Sequence, residues 1–189
     1  MKKIFFALFI LTSISSFAQK PCEIESSFTD SLGTYKSLKQ KLVFERNFAG
    51  NSTRIFFSLS TNNGVLSLDT EILQRSNDFI KANCLDPKSK IYLQLANGKI
   101  VTLLLSSNET CGTLIRSDDG ANNRITSASF LFSKENFEDL KTSRVTFMRI
   151  QFAGETIDFP FKTSLVSEMD NKTYEPEKYF IEDLKCFEN

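Results

Sequence analysis

The chain has 189 residues, 23 basic and 23 acidic, with 19 Phe but no His and no Trp. That balance leaves no basic excess to hold a polyanion, which argues against nucleic acid as a partner. The absence of His removes the commonest general base, the commonest metal ligand and the usual partner of a Ser or Cys nucleophile.

The N-terminus reads Met1-Lys2-Lys3, then an apolar run over residues 4–11, then a Ser/Thr-rich stretch ending Ser16-Phe17-Ala18. A short basic segment, an apolar core and small residues at −3 and −1 of a cut after Ala18 are the three parts of a secretory signal peptide. The apolar run is about half the ~20 residues of a spanning helix. Residues 1–18 are therefore read as a cleaved leader and residues 19–189 as one β-rich domain. Gln19-Lys20-Pro21 precedes Cys22, so no Cys stands at the first mature position, where a lipid anchor needs one. Loss of Lys2 and Lys3 leaves 21 basic against 23 acidic residues, a charge of −2. A cut followed by Gln, in a chain rich in Lys, Asn and Phe, resembles the small exported β-rich proteins of Bacteroidota. The resemblance implies a periplasmic or extracellular location and names no activity. No later segment is apolar enough to span a membrane.

Strands are expected at residues 22–28 and 39–46. A hairpin follows, residues 54–60 and 65–68 flanking Thr61-Asn62-Asn63-Gly64. Residues 70–83 read equally as helix or irregular chain. A second hairpin joins residues 91–96 and 99–105 through Asn97-Gly98. Asn-Gly is the strongest short hairpin signal because both central residues of a type I′ turn need positive φ. With those two as the turn, Ala96 faces Lys99, and Ile91, Leu93 and Leu95 face Leu104, Thr102 and Ile100 on one nearly apolar side. Tyr92/Leu103 and Gln94/Val101 form the mixed side. A strand is expected at residues 124–132, then a short helix capped by Ser133 and running to Thr142, with Phe137 and Leu140 inward. A third hairpin turns at Ala153-Gly154, which sets Ile150 against Ile157, Met148 against Phe159 and Arg149 against Asp158. Pro160 marks an edge or a strand end. Pro176 opens a last helix carrying Phe180, Leu184 and Phe187 at i, i+4 and i+7. The predicted class is mainly β: an antiparallel sandwich-like domain with a short inserted helix and a C-terminal helix.

Four Cys in an exported chain predict two disulfides. No C-x-x-C is present, and four Cys without His or paired spacing make a poor zinc site. Extending the register of the middle hairpin places Cys84 opposite Cys111, at a separation a disulfide accepts. Cys22 then pairs with Cys186 by elimination. Pro87 is the weak point of that register, because it cannot donate to a ladder.

Asp118-Asp119-Gly120-Ala121-Asn122-Asn123 is the densest set of hard oxygen ligands. With Gly120 at the sixth position of a calcium loop, Ile115 and Thr126 fall where carboxylates are needed, so the segment is read as a solvated turn. A Ser nucleophile needs another base here, most simply Lys, and no Lys has a Ser three residues before it. Asn51, Asn108 and Asn171 begin N-glycosylation sequons, which mark surface loops. No catalytic residue, metal ligand or cofactor site is predicted. The expected function is a non-enzymatic binding or structural module of the cell envelope or extracellular space, with an unknown protein or glycan as partner. The alternatives are a small hydrolase using paired carboxylates on glycans and an inhibitor or immunity-type protein that presents a loop.

Overall fold

The computed structural model describes residues 21–31 and 33–188. The leader and its cleavage site lie outside the described residues. Thirteen strands are formed among these residues: β1 (Ile24–Asp30), β2 (Gly33–Leu38), β3 (Lys41–Phe48), β4 (Asn51–Asn62), β5 (Val65–Ser76), β6 (Lys90–Leu95), β7 (Ile100–Leu105), β8 (Thr113–Arg116), β9 (Asn122–Phe132), β10 (Val145–Gln151), β11 (Thr156–Pro160), β12 (Leu165–Val166) and β13 (Thr173–Tyr174). Eleven of them make one antiparallel sheet in the order β1-β2-β4-β5-β9-β7-β6-β10-β11, with β3 also on β4 and β8 also on β9. β12 and β13 pair separately.

The sheet folds over on itself like a sandwich. One layer is β3-β4-β5-β9, whose inner side chains include Ile55, Phe57, Leu59, Leu68 and Phe130. The other is β7-β6-β10-β11, with Val101, Leu103, Ile91, Leu93, Met148 and Ile150 inward. Phe44 of β3 meets Phe159 of β11 edge-on, with centroids 5.1 Å apart, so the two margins of the folded sheet touch. The chain end fills the core between layers. Pro176–Lys178 is a 3-10 turn, α1 spans Tyr179–Asp183, and a second 3-10 turn runs Leu184–Phe187. Phe180 lies 6.0 Å from Phe57 and 6.0 Å from Phe132. The expected class is thus what forms, and Pro176 does open the last helix.

The third hairpin has the predicted turn, and in the first the expected Thr61–Gly64 connection tightens to two residues because Thr61 and Asn62 pair with Leu66 and Val65. Asn63 and Gly64, at φ 51° and 79°, join β4 to β5 with Asn62 opposite Val65. In the third, Met148 faces Phe159, Arg149 faces Asp158 and Ile150 faces Ile157. Pro160 ends β11, an outermost strand.

The middle hairpin is slipped by one residue from the prediction. Ile91 faces Leu103 and Leu93 faces Val101 inside, while Tyr92 faces Thr102 and Gln94 faces Ile100 outside. The turn has three residues rather than two. Gly98 N–H donates to Leu95 O and Leu95 N–H to Lys99 O, both at 2.9 Å, and Gly98 takes φ 84°. This is a type I turn closed by a left-handed Gly. The slip places Val101 and Leu103 rather than Ile100, Thr102 and Leu104 on the core face, so Thr102 is not buried and Ile100 and Leu104 stand outside.

Two further expectations are corrected. Residues 70–76 are strand, the outer half of β5, because pairing with both β4 and β9 overrides the helical propensity of Glu71-Ile72-Leu73-Gln74-Arg75. Ser133 caps nothing. The inserted helix is one 3-10 turn, Phe137–Lys141, entered through Asn136 in the left-handed region, and Ser133 N–H is drawn to Thr102 O at 2.9 Å.

Candidate functional site: the outer face of β7, β6, β10 and β11

Alternation in these four strands sends one set of side chains to the core and the other to the surface. The pairing aligns the outer set in rows. Thr102, Tyr92, Arg149 and Asp158 form one row; Ile100, Gln94, Phe147 and Pro160 form the next. Leu104, Lys90, Gln151 and Thr156 form the third, and Leu131 of β9 continues it beside Leu104. A shallow cleft of about 420 Å³ opens over Tyr92, Gln94, Ile100, Phe147, Arg149, Gln151 and Thr156.

The polar groups of this face are already positioned. Arg149 donates from Nε and Nη2 to both oxygens of Asp158, at 2.7 and 2.9 Å. Its guanidinium carbon is 5.8 Å from the Phe147 ring centroid. That forked hydrogen bonding and the Arg149 charge hold the Asp158 carboxyl below its ordinary range. Tyr92 donates its hydroxyl to Gln151 Oε1 at 3.2 Å. The result is a nearly flat surface with aromatic and aliphatic area, two amides and an internally neutralised ion pair.

A larger cleft, about 560 Å³, lies where the start of the chain meets its end, with Glu23, Lys41, Tyr174, Glu175, Glu182 and Asp183 among its lining residues. Burial pushes the Asp183 carboxyl up, against the pull of Lys41. Asp183 nevertheless accepts from Lys41 Nζ at 2.6 Å, and Glu175 accepts from Lys178 Nζ at 2.6 Å. Tyr174, raised to about 12 by burial and then by Asp170, donates to Asp170 Oδ2 at 2.7 Å. Lys41 ties the last helix to β3, while the Tyr174–Asp170 bond closes within the β12–β13 hairpin and the Lys178–Glu175 pair within the turn that follows it. These groups bond to one another rather than converge on a shared point in the cleft.

The Cys pair as expected. Cys22 bonds Cys186 with Cα atoms 5.7 Å apart, and Cys84 bonds Cys111 at 3.9 Å. The second pair is reached by a different route from the one predicted. The hairpin's own register would set Cys84 one residue out of line with Cys111. Beyond Lys90 and Leu104 the chains regain that residue, and Leu85 bridges Thr110. The recovery occurs at Pro87, where Ser89 N–H donates back to Asp86 O in a tight turn. Of the Asp118–Asn123 stretch, Asp118 to Ala121 lie in the turn between β8 and β9, and Asn122 and Asn123 begin β9. Ala121 N–H donates to Asp119 Oδ1 at 3.2 Å, and Asp119 pairs with Arg75. Asn51, Asn108 and Asn171 are all exposed. Among the described residues no group of three or more Cys, Asp or Glu gathers as metal ligands.

Sequence reading named Arg149 and Asp158 as partners but did not single out the face they lie on. A two-residue turn at Asn97-Gly98 assigns Ile100 and Leu104 to the core, and that register hides how apolar the outer surface is. No family model matches the chain, and neither a curated protein nor a solved structure is detectably similar to it.

Proposed function

We propose that this is an exported, non-enzymatic binding module of the cell envelope or extracellular space, and that it holds a macromolecular partner, protein or glycan, on the outer face of β7, β6, β10 and β11. The observation that carries the reading is the face itself: Tyr92, Phe147, Ile100 and a pre-oriented Arg149 in rows, with no strand or helix among the described residues laid over them. Tyr, Phe and Arg are the side chains enriched where proteins bind, because they bring large area at low entropic cost. Export is supported by the leader motif and by two disulfides, which persist in oxidising compartments. No helix among the described residues is long and apolar enough to cross a membrane.

The test is retention of the mature protein on isolated envelope fractions, polysaccharide and protein-containing, compared with Tyr92→Ala/Phe147→Ala. Selective retention that falls about tenfold or more in the variant is expected, since the centre of an interface loses over 1.4 kcal/mol when such anchors are cut. Equal retention of both proteins sinks the reading. Release of new reducing ends from the glycan fraction, lost in Asp183→Asn, replaces it with the hydrolase alternative.

A further inference from the structure

At the opposite end of the long sheet from the β4–β5 turn, several strands stop together. β3 turns into β4 through Ala49-Gly50, β5 ends at Ser76 beside Asn122 of β9, and β8 ends at Arg116. Two large apolar side chains stand out from this foot. Phe48, just before the β3–β4 turn, is 77% exposed, and Phe79, just after β5, is 81% exposed. Leu114 and Ile115 of β8 add 46% and 48% exposure close by. No other large hydrophobic residue among those described is as exposed as the two Phe.

Both rings are held out by ordered backbone. Asp78 N–H donates to Ser76 Oγ, and Asn122 Nδ2 donates to Asp78 O at 3.0 Å. On the other side of Phe79, the Ile80 side chain is buried and its carbonyl accepts from Arg124. Phe79 is thus fixed between anchored neighbours with its ring in water. Phe48 precedes a two-residue turn whose first position is Ala49 at φ 48°. The two-residue turn requires that left-handed conformation at its first position, and it fixes the course of the chain directly after Phe48.

We infer that this foot docks on a lipid bilayer surface, with the Phe48 and Phe79 rings inserted at the headgroup boundary. A protein partner of ordinary size needs a broad complementary patch. Separate protruding rings need only a medium that yields, and interfacial binding scales with the apolar area inserted. The charges here also fit. Arg75 pairs with Asp119 and Lys81 with Glu155, and Arg46 and Arg116 at this end are matched by Asp78 and Asp118, so the foot carries no strong single-sign field. Insertion should therefore proceed on a zwitterionic membrane and survive salt, which screens only charge attraction.

The experiment is flotation of the mature, disulfide-bonded protein with vesicles of phosphatidylcholine alone and of phosphatidylcholine with phosphatidylglycerol. Both should carry the protein, with little change in high salt. Phe48→Ser/Phe79→Ser should lower partitioning by at least about tenfold per ring removed. Val65→Ser, at the far end of the sheet, and Tyr92→Ala/Phe147→Ala should float like the parent, which separates this site from the face proposed above. The chain has no Trp, so Phe79→Trp supplies a single reporter whose emission should shift to the blue on vesicles. Several results overturn the inference: no flotation of the parent, equal flotation of the double Phe variant, or binding that needs phosphatidylglycerol and vanishes in salt. A lipid-free dimer that the double variant dissolves also overturns it, because a second copy then occupies the foot.

Discussion

Two carboxylates inside the fold respond to pH in opposite directions. Glu45 sits on β3 opposite Arg54 of β4 and accepts from Arg54 Nε at 2.6 Å and from Glu168 N–H at 3.0 Å. Burial pushes its carboxyl up, but the Arg54 and Glu168 donors together with the Arg54 charge outweigh this, and it titrates below its ordinary range. A depressed native value adds stability that is present above the unfolded value, near 4.3, and is lost as pH falls through the native one. Glu45→Gln should cost about 2 kcal/mol in urea unfolding at neutral pH and much less in acid. Asp183 behaves conversely. Its raised native value favours the fold below the unfolded value, and that contribution is lost as pH rises through the native one. At neutral pH Lys41 offsets the loss. Lys41→Met should therefore destabilise by about 3 kcal/mol at pH 7, the scale for breaking a buried pair. The deficit should shrink on acidification as Asp183 takes a proton, and Lys41→Met/Asp183→Asn should recover most of it. If the single variant loses equal stability at both pH values, the buried charge is not the cause.

Three turns that look alike in sequence behave differently as elements. Asn63-Gly64 and Ala49-Gly50 both form two-residue turns with positive φ at each position. Asn tolerates that conformation and Ala does not, so Ala49→Asn should raise stability by about 0.5–1 kcal/mol by thermal unfolding. Gly98 closes a three-residue turn in open space, and Gly98→Ala should cost about 1 kcal/mol through φ alone. Gly112 has φ 70° and no room: an added Cβ would meet Thr126 and come within 2.7 Å of Ile125 O. Gly112→Ala should cost more than Gly98→Ala, and hydrogen exchange should show the loss centred on β8 and β9. Turn chemistry made the hairpins at Asn63-Gly64, Asn97-Gly98 and Ala153-Gly154 legible from sequence, but neither the β3–β4 hairpin at Ala49-Gly50 nor the loop length at Asn97-Gly98. Either choice leaves an alternating pair, and only the demand of the core on Val101 and Leu103 decides between them. β8 was illegible for a different reason. All four of its residues are exposed, so no burial pattern marks it as strand. Residues 70–76 carried a helical propensity that only their two strand neighbours overrule.

For the molecule as a whole, the two disulfides differ in reach. Cys84–Cys111 spans 27 residues and Cys22–Cys186 spans 164. In the chain-entropy account they restrain the unfolded state by about 3.5 and about 5 kcal/mol. Cys22→Ser/Cys186→Ser should therefore lower unfolding stability more than Cys84→Ser/Cys111→Ser, by a margin of about 1–2 kcal/mol in denaturant titrations. The reverse order would show that native-state constraint near β8, rather than loop length, sets the contribution. The longer link was found by elimination and the shorter by a register that turned out one residue out, so the pairing was easier to read than the path between the Cys. A chain bonded from Cys22 to Cys186 is also a closed covalent ring for nearly all its described length. A protease that cuts one exposed loop leaves a single connected piece, and a second cut is needed before any fragment can separate. Tension applied to the chain on either side of this bridge would likewise run through the sulfur bond and bypass the sheet, so the outer face of β7, β6, β10 and β11 and the end that carries Phe48 and Phe79 would stay unloaded.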